Sequence, residues 1–119
     1  MVQEYNFPSI SMNIILPAGD ARTCASEALD AMLQGDCEKA EEKLKEAKEQ
    51  IKIAHKAQTD VLQSLAAREY NEDSEPVVLP MLFVHAQDTI MTIMSEVDLT
   101  EKMLKMYKTL HKEIEDCKK

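Results

Sequence analysis

Tryptophan is absent from the 119 residues, glycine and phenylalanine occur twice each, and tyrosine three times. Sheet-rich folds draw on aromatic strand residues and on glycine-bearing turns, so this scarcity argues against one. Cysteine is also sparse. Cys24, Cys37 and Cys117 are odd in number and lack metal-ligand spacing, which excludes a closed disulfide framework and reads as reduced thiols in a cytosolic chain. No apolar run approaches the roughly 20 residues needed to span a bilayer, and the N-terminus lacks the basic, apolar, small-residue order of a signal peptide. The expectation is a cytoplasmic protein whose membrane association, if any, runs through a partner. Positive charge is in deficit, with 14 Lys and Arg against 22 Asp and Glu and a net charge of -8. Such a balance argues against nucleic acid and against anionic membrane surfaces, both of which would repel it.

What is present is helical. Ala, Glu, Lys, Leu and Met dominate, and the length suits one domain or one protomer of an assembly. Residues 1–11 carry no sustained period and contain Pro8, so they read as a mobile arm with Tyr5 and Phe7 free to dock on a partner subunit. A first helix follows over residues 12–33, begun or kinked near Pro17, with Ala18, Ala21, Ala25, Ala28, Leu29 and Met32 on its packing side. Gly35 suits a left-handed C-terminal position and Asp36 the next N-cap. The second helix, from residue 37 to about 70, follows a seam of Ala40, Leu44, Ala47, Ile51, Ala54, Gln58, Val61 and Leu65. Glu41 and Lys45 suggest a supporting pair on its outer face, while His55 and Thr59 lie beside Gln58, the three either as buried side chains that bond one another or a facing backbone, or as supports for a site on a facing helix. An acidic loop over 69–76, closed by Pro76, leads to a third helix reaching about residue 116, and residues 117–119 read as a tail that frays. The fold class expected is all-α: an up-down-up antiparallel three-helix bundle spanning residues 12–116. One such bundle has a thin core, so self-association into a closed ring is expected.

The third helix holds the most unusual stretch, MLFVHAQDTIMTIM at 81–94. It lacks Lys, Arg and Glu and is apolar nearly all round, which implies burial on two sides. His85 and Asp88, three residues apart, share neighbouring parts of one face, and Gln87 points round toward Ile90 and Met94. Three chemistries fit the spacing. His85 can be an ordinary core residue satisfied by hydrogen bonds. His85 and Asp88 can be two ligands of a metal site that is incomplete unless several chains pool ligands about a symmetry axis. Or a neutral His85 imidazole can attack phosphorus, with Gln87 and Thr89 as donors to the phosphate. The absence of a Gly-rich nucleotide loop excludes ATP as the phosphoryl donor in that case.

Three motifs in order, AGDAR at 18–22, AHKAQT at 54–59 and VHAQD at 84–88, together with QGDCEKAEEKLKEA at 34–47, make the chain resemble the lactose/cellobiose-type enzyme IIA of the bacterial phosphoenolpyruvate-dependent sugar phosphotransferase system. The resemblance covers roughly residues 12–112. It implies three-helix protomers joined as a homotrimer of nine helices, with His85 accepting phosphate from HPr and passing it to a Cys of enzyme IIB for uptake of a disaccharide or oligosaccharide. It further implies that Asp88 from each subunit meets at the trimer axis around a divalent cation, Mg2+ being the usual one, that Gln87 supports the site, and that the membrane is reached through the IIC component. The physics is consistent, since three gathered carboxylates repel unless a cation or protons neutralise them. The sequence departs from the family pattern at Thr89, where a second His is usual, and at Pro17 and Pro80. A non-catalytic helical scaffold, or a degenerate paralogue that has lost transfer, is the alternative.

Overall fold

Five alanines on the first helix, Ala18, Ala21, Ala25, Ala28 and Ala31, are all buried, so two neighbouring helices approach its backbone closely along its length. The computed structural model describes residues 5–69 and 75–118. It contains α1 (Phe7–Leu33), α2 (Cys37–Glu69) and α3 (Met81–Cys117), and no strand among the described residues. Cross-helix pairs define the direction of each. Tyr5 meets Ser64 and Glu27 meets Lys43, so α1 and α2 are antiparallel. Gln58 meets Gln87 and Lys48 meets Glu101, so α2 and α3 are antiparallel. Phe7 packs on Phe83 and Arg22 bonds Glu96, so α1 and α3 run parallel. The expected up-down-up bundle is what forms, 72 Å long and 23 × 18 Å across.

The helix boundaries follow local chemistry. α1 starts at Phe7, five residues before the expected point. The Asn6 side chain caps it by accepting from the Ser9 amide at 3.2 Å, and Pro8 occupies the first turn, where its missing donor leaves no helix bond unmade. Phe7 and Ser11, assigned to a mobile arm by the sequence reading, are therefore buried core residues. Residues 1–4 of that arm lie outside the described residues. Pro17 is carried inside the helix. At the other end Gly35 has φ 77; its amide donates to Met32 O at 3.0 Å and that of Asp36 to Ala31 O at 2.9 Å. This paired arrangement closes the last turn of α1 around a residue that only glycine adopts readily. Asp36 then accepts from the Lys39 amide at 3.1 Å and opens α2. Most of the acidic loop, residues 70–74, and Lys119 at the end of the tail lie outside the described residues.

α3 outruns its partners. Beyond Leu104 none of its residues is buried, and its last turns project past the α1–α2 turn with Leu110 and Ile114 exposed. Cys117, expected to fray, is still helical. The Glu41–Lys45 pair does not form; Glu41 instead pairs across the bundle with Lys108 of α3. No helix among the described residues is long and apolar enough to cross a membrane, and all three cysteines are free thiols.

Candidate functional site

Phe83, Ala86, Ile90 and Ile93 repeat at helical spacing and turn one side of α3 into the core. That fixes where the intervening residues go. His85 and Asp88 are exposed, while Gln87 and Thr89 are half-buried. The stretch is thus buried on one side within a single chain, and Met81, Val84 and Met91 stand uncovered on the other. His85 is not a core histidine satisfied by its surroundings.

Among the described residues, the side chain at hydrogen-bonding distance from its ring is that of Thr89, a turn further on. The Thr89 hydroxyl lies 2.8 Å from the His85 carbonyl oxygen, to which it donates. The same oxygen is 3.5 Å from His85 Nε2. With its proton on the carbonyl, Thr89 can only accept from the ring, and at that distance the contact is weak. The imidazole therefore keeps a free nitrogen directed to solvent, as a nucleophile needs. Thr89 does not present its proton outward in the way a phosphate donor would.

Gln87 turns the other way. Gln58 Nε2 donates to Gln87 Oε1, 29 residues on in sequence, across the α2–α3 contact, so AHKAQT and VHAQD meet inside the fold. Gln58 is buried as the seam spacing implied, but His55 is exposed and not a bonded interior residue. AGDAR serves a different place. Arg22 makes a two-pronged contact with Glu96 at 2.8 and 2.9 Å, and this hydrogen bond, reinforced by the opposite charge, raises the guanidinium pKa further. Glu96 lies 11 residues beyond His85, about 16 Å along α3, so Arg22 braces α1 against α3 and does not touch the imidazole.

Asp88 has no ion pair or hydrogen bond among the described residues. No group of three or more potential ligands gathers anywhere among them, so one chain alone does not build the expected metal site. What Asp88 offers is a hard carboxylate on the exposed side of α3, between Val84 and Met91. Ser11 was missed by the sequence reading, which placed it in the arm. Its signal was the four-residue step from Phe7, visible once Pro8 is accepted in a first helical turn.

A three-helix bundle with a solvent-facing imidazole on its longest helix has the layout of a helical carrier, in which a side chain is open to docking partners rather than closed around a substrate. The comparisons with known proteins specify which kind. The model of the family "PTS system, Lactose/Cellobiose specific IIA subunit" matches residues 9–108. The lactose-specific EIIA component of Lacticaseibacillus casei is 35% identical over 116 residues, 98% of this chain and 97% of that protein. The lichenan-specific enzyme IIA component of Bacillus subtilis (strain 168) is 36% identical over 101 residues, covering 85% and 86%. Among solved structures, PtcA from S. mutans superposes with a TM-score of 0.79 at 36% identity, over 90% of this chain and 99% of that one. The cellobiose-specific enzyme IIA from Bacillus anthracis gives 0.77 at 34%, over 92% and 94%. The chain belongs to the lactose/cellobiose-specific IIA family and is a phosphoryl-carrying phosphotransferase component of a sugar phosphotransferase system.

Proposed function

We propose that His85 is the residue that carries the phosphoryl group. One ring nitrogen of the neutral imidazole attacks phosphorus in phospho-HPr; the donor's bond to phosphorus breaks as the new N–P bond forms. The thiolate of a Cys on enzyme IIB then attacks the same phosphorus, and the His85 N–P bond breaks, returning neutral imidazole. The observation that carries this reading is the solvent-facing His85 ring on α3, held among the described residues by no more than one weak contact. Exposure is what two successive protein partners require, because each must reach the same nitrogen in line. It also weighs against the scaffold alternative, which needs His85 buried and bonded on both nitrogens.

The protein works as a homotrimer in the cytoplasm, reaching the membrane only through the IIC component. Support for the trimer comes from the unpartnered apolar residues that run the length of α3, among them Val84, Met91, Leu99, Met106 and Leu110. Asp88 interrupts this row. Three chains joined there would bring three Asp88 carboxylates together, an all-oxygen donor set suited to a hard divalent cation such as Mg2+. The ion would supply charge neutralisation and hold the subunits; Asp88 alone provides its protein ligands, and Gln87 supports His85 from inside the bundle. The sugar is of the lactose/cellobiose class, within which the relatives' own names divide among lactose, lichenan, cellobiose and others.

Incubation with phosphoenolpyruvate, enzyme I and HPr is the direct test. One acid-labile phosphoryl group per chain is expected, with none on His85→Ala. An unmutated protein that takes up no phosphate would overturn the assignment.

A further inference from the structure

Two buried polar groups near the level of His85 have no hydrogen-bond partner among the described residues: the Ser11 hydroxyl and the Gln87 side-chain nitrogen. The register of the helices puts them in one layer. Phe7 and Phe83 face each other with ring centroids 5.1 Å apart on parallel helices, and one turn further along each stand Ser11 and Gln87. The Tyr5 hydroxyl meets Ser64 at 2.6 Å on antiparallel helices; six residues on from Tyr5 is Ser11, and six back from Ser64 is Gln58. Gln58 in turn bonds Gln87. Each helix therefore contributes one polar side chain to the same level, with Ser11 fully buried and Gln58 only 5% exposed. Apolar layers bound it: Phe7, Val61 and Phe83 on one side, Ile14, Ala54 and Ile90 on the other.

Such a layer does not exist for stability. Apolar packing there would leave no buried polar group unpaired, and unpaired buried groups destabilise. What polar groups add is direction. Hydrophobic contact is indifferent to small rotations of a helix about its axis, whereas a hydrogen bond between two buried amides holds in one orientation, the way a lone polar residue sets register in a coiled coil. Gln87 is two residues beyond His85, so its side chain leaves α3 about 200° round from the imidazole. Holding Gln87 against Gln58 holds His85 outward.

We propose that Ser11, Gln58 and Gln87 form a polar layer that sets the axial rotation of α3, making Ser11 and Gln58 positioning residues for phosphoryl transfer on His85. This rests on the reading of His85 as the carrier. It gives a signature that a purely structural role lacks: removing the layer leaves the fold as stable or more so, yet slows transfer.

The test compares the parent with Gln58→Met/Gln87→Met, which keeps side-chain length, and with the isosteric pair Ser11→Thr and Ser11→Val, which differ by one hydroxyl. Thermal midpoint, kcat and KM for uptake from phospho-HPr, and the 15N resonances of the His85 ring are read together. The double variant is expected to melt no lower than the parent, to lose about tenfold or more in kcat, and to keep KM within about twofold, since the docking surface is untouched. Ser11→Thr is expected to transfer faster than Ser11→Val. A folded double variant with the parental kcat overturns the proposal, and so does equal transfer by the two Ser11 variants. If the double variant does not fold, the Ser11 pair decides. If the parent takes no phosphate on His85, the carrier assignment fails separately, and the layer is judged on the ring resonances of the folded variants. Resonances unchanged from the parent's overturn the layer as well; displaced resonances uphold it.

Discussion

Thr89 makes the weak polar contact to the His85 ring, and its hydroxyl chemistry is already committed. Its hydroxyl proton goes to the His85 carbonyl at 2.8 Å, so it is not poised to donate to a phosphate. Thr89→Val, which keeps the shape and removes the hydroxyl, is therefore expected to retain uptake from phospho-HPr to within about threefold. A loss beyond about tenfold, roughly 1.4 kcal/mol of transition-state stabilisation, would mean that the hydroxyl turns to meet the phosphoryl group during transfer. The two glycines make a second contrast at this scale. Gly35 sits at φ 77 with only the Tyr107 hydroxyl, 3.7 Å away, near an added Cβ. Gly19 lies inside α1, where an added Cβ would meet nothing within 4 Å among the described residues outside its own turn of helix. Gly35→Ala should therefore destabilise by about 1 kcal/mol through backbone conformation alone. Gly19→Ala should stabilise by roughly 0.5–1 kcal/mol in a single chain by removing helix-interior glycine. Denaturation midpoints of the two variants, measured under conditions that keep the chain monomeric, check both signs.

Among the elements, helix boundaries written in capping chemistry were legible and those written in long-range packing were not. Gly35 and Asp36 announced the α1–α2 turn because the left-handed position and the N-cap each demand a particular residue type. Pro8 misled, since proline breaks a helix interior but is harmless in a first turn, and only the burial of Phe7 against Phe83 shows which applies. Glu41 and Lys45 have the right spacing for a local pair, yet Lys108 from another helix takes Glu41. In the candidate site, the outward turn of His85 and the inward turn of Gln58 follow from helical period. The meeting of Gln58 with Gln87 needs the register of two helices, which no local pattern encodes. The α2–α3 ion pairs carry a pH prediction. The hydrogen bond from Lys48, with a further one from Lys105, holds the Glu101 carboxyl below the usual carboxylate range. A depressed acid contributes stability that is fully present above its unfolded pKa of about 4.3 and is lost as pH falls through the lower folded value. Glu101→Gln should consequently lose less of its melting temperature between pH 6 and pH 3 than the parent does. An identical drop in both would show that Lys48 gives Glu101 no folded-state advantage.

For the whole molecule the exposed face of α3 is decisive. Monomeric proteins rarely leave this many large apolar side chains exposed along one helix. Leu99 is 53% exposed, Met106 63% and Leu110 55%, on the helix that projects beyond the other two. If three chains close around this face, sedimentation equilibrium should return three times the 13.5 kDa chain mass. Elution volume alone would mislead, because a single chain 72 Å long already migrates as a larger particle. Leu99→Glu/Met106→Glu should bring the mass down to one chain, since three pairs of carboxylates would be forced into one apolar seam. Asp88→Leu separates the ion from the assembly. Replacing the carboxylate removes its repulsion as well as its ligand, so the trimer should persist or tighten while bound divalent metal, measured by elemental analysis, falls to background. Stoichiometric metal retained by Asp88→Leu would place the ion elsewhere, and a parent that sediments as a single chain would leave both the axial ion and the shared interface without a basis.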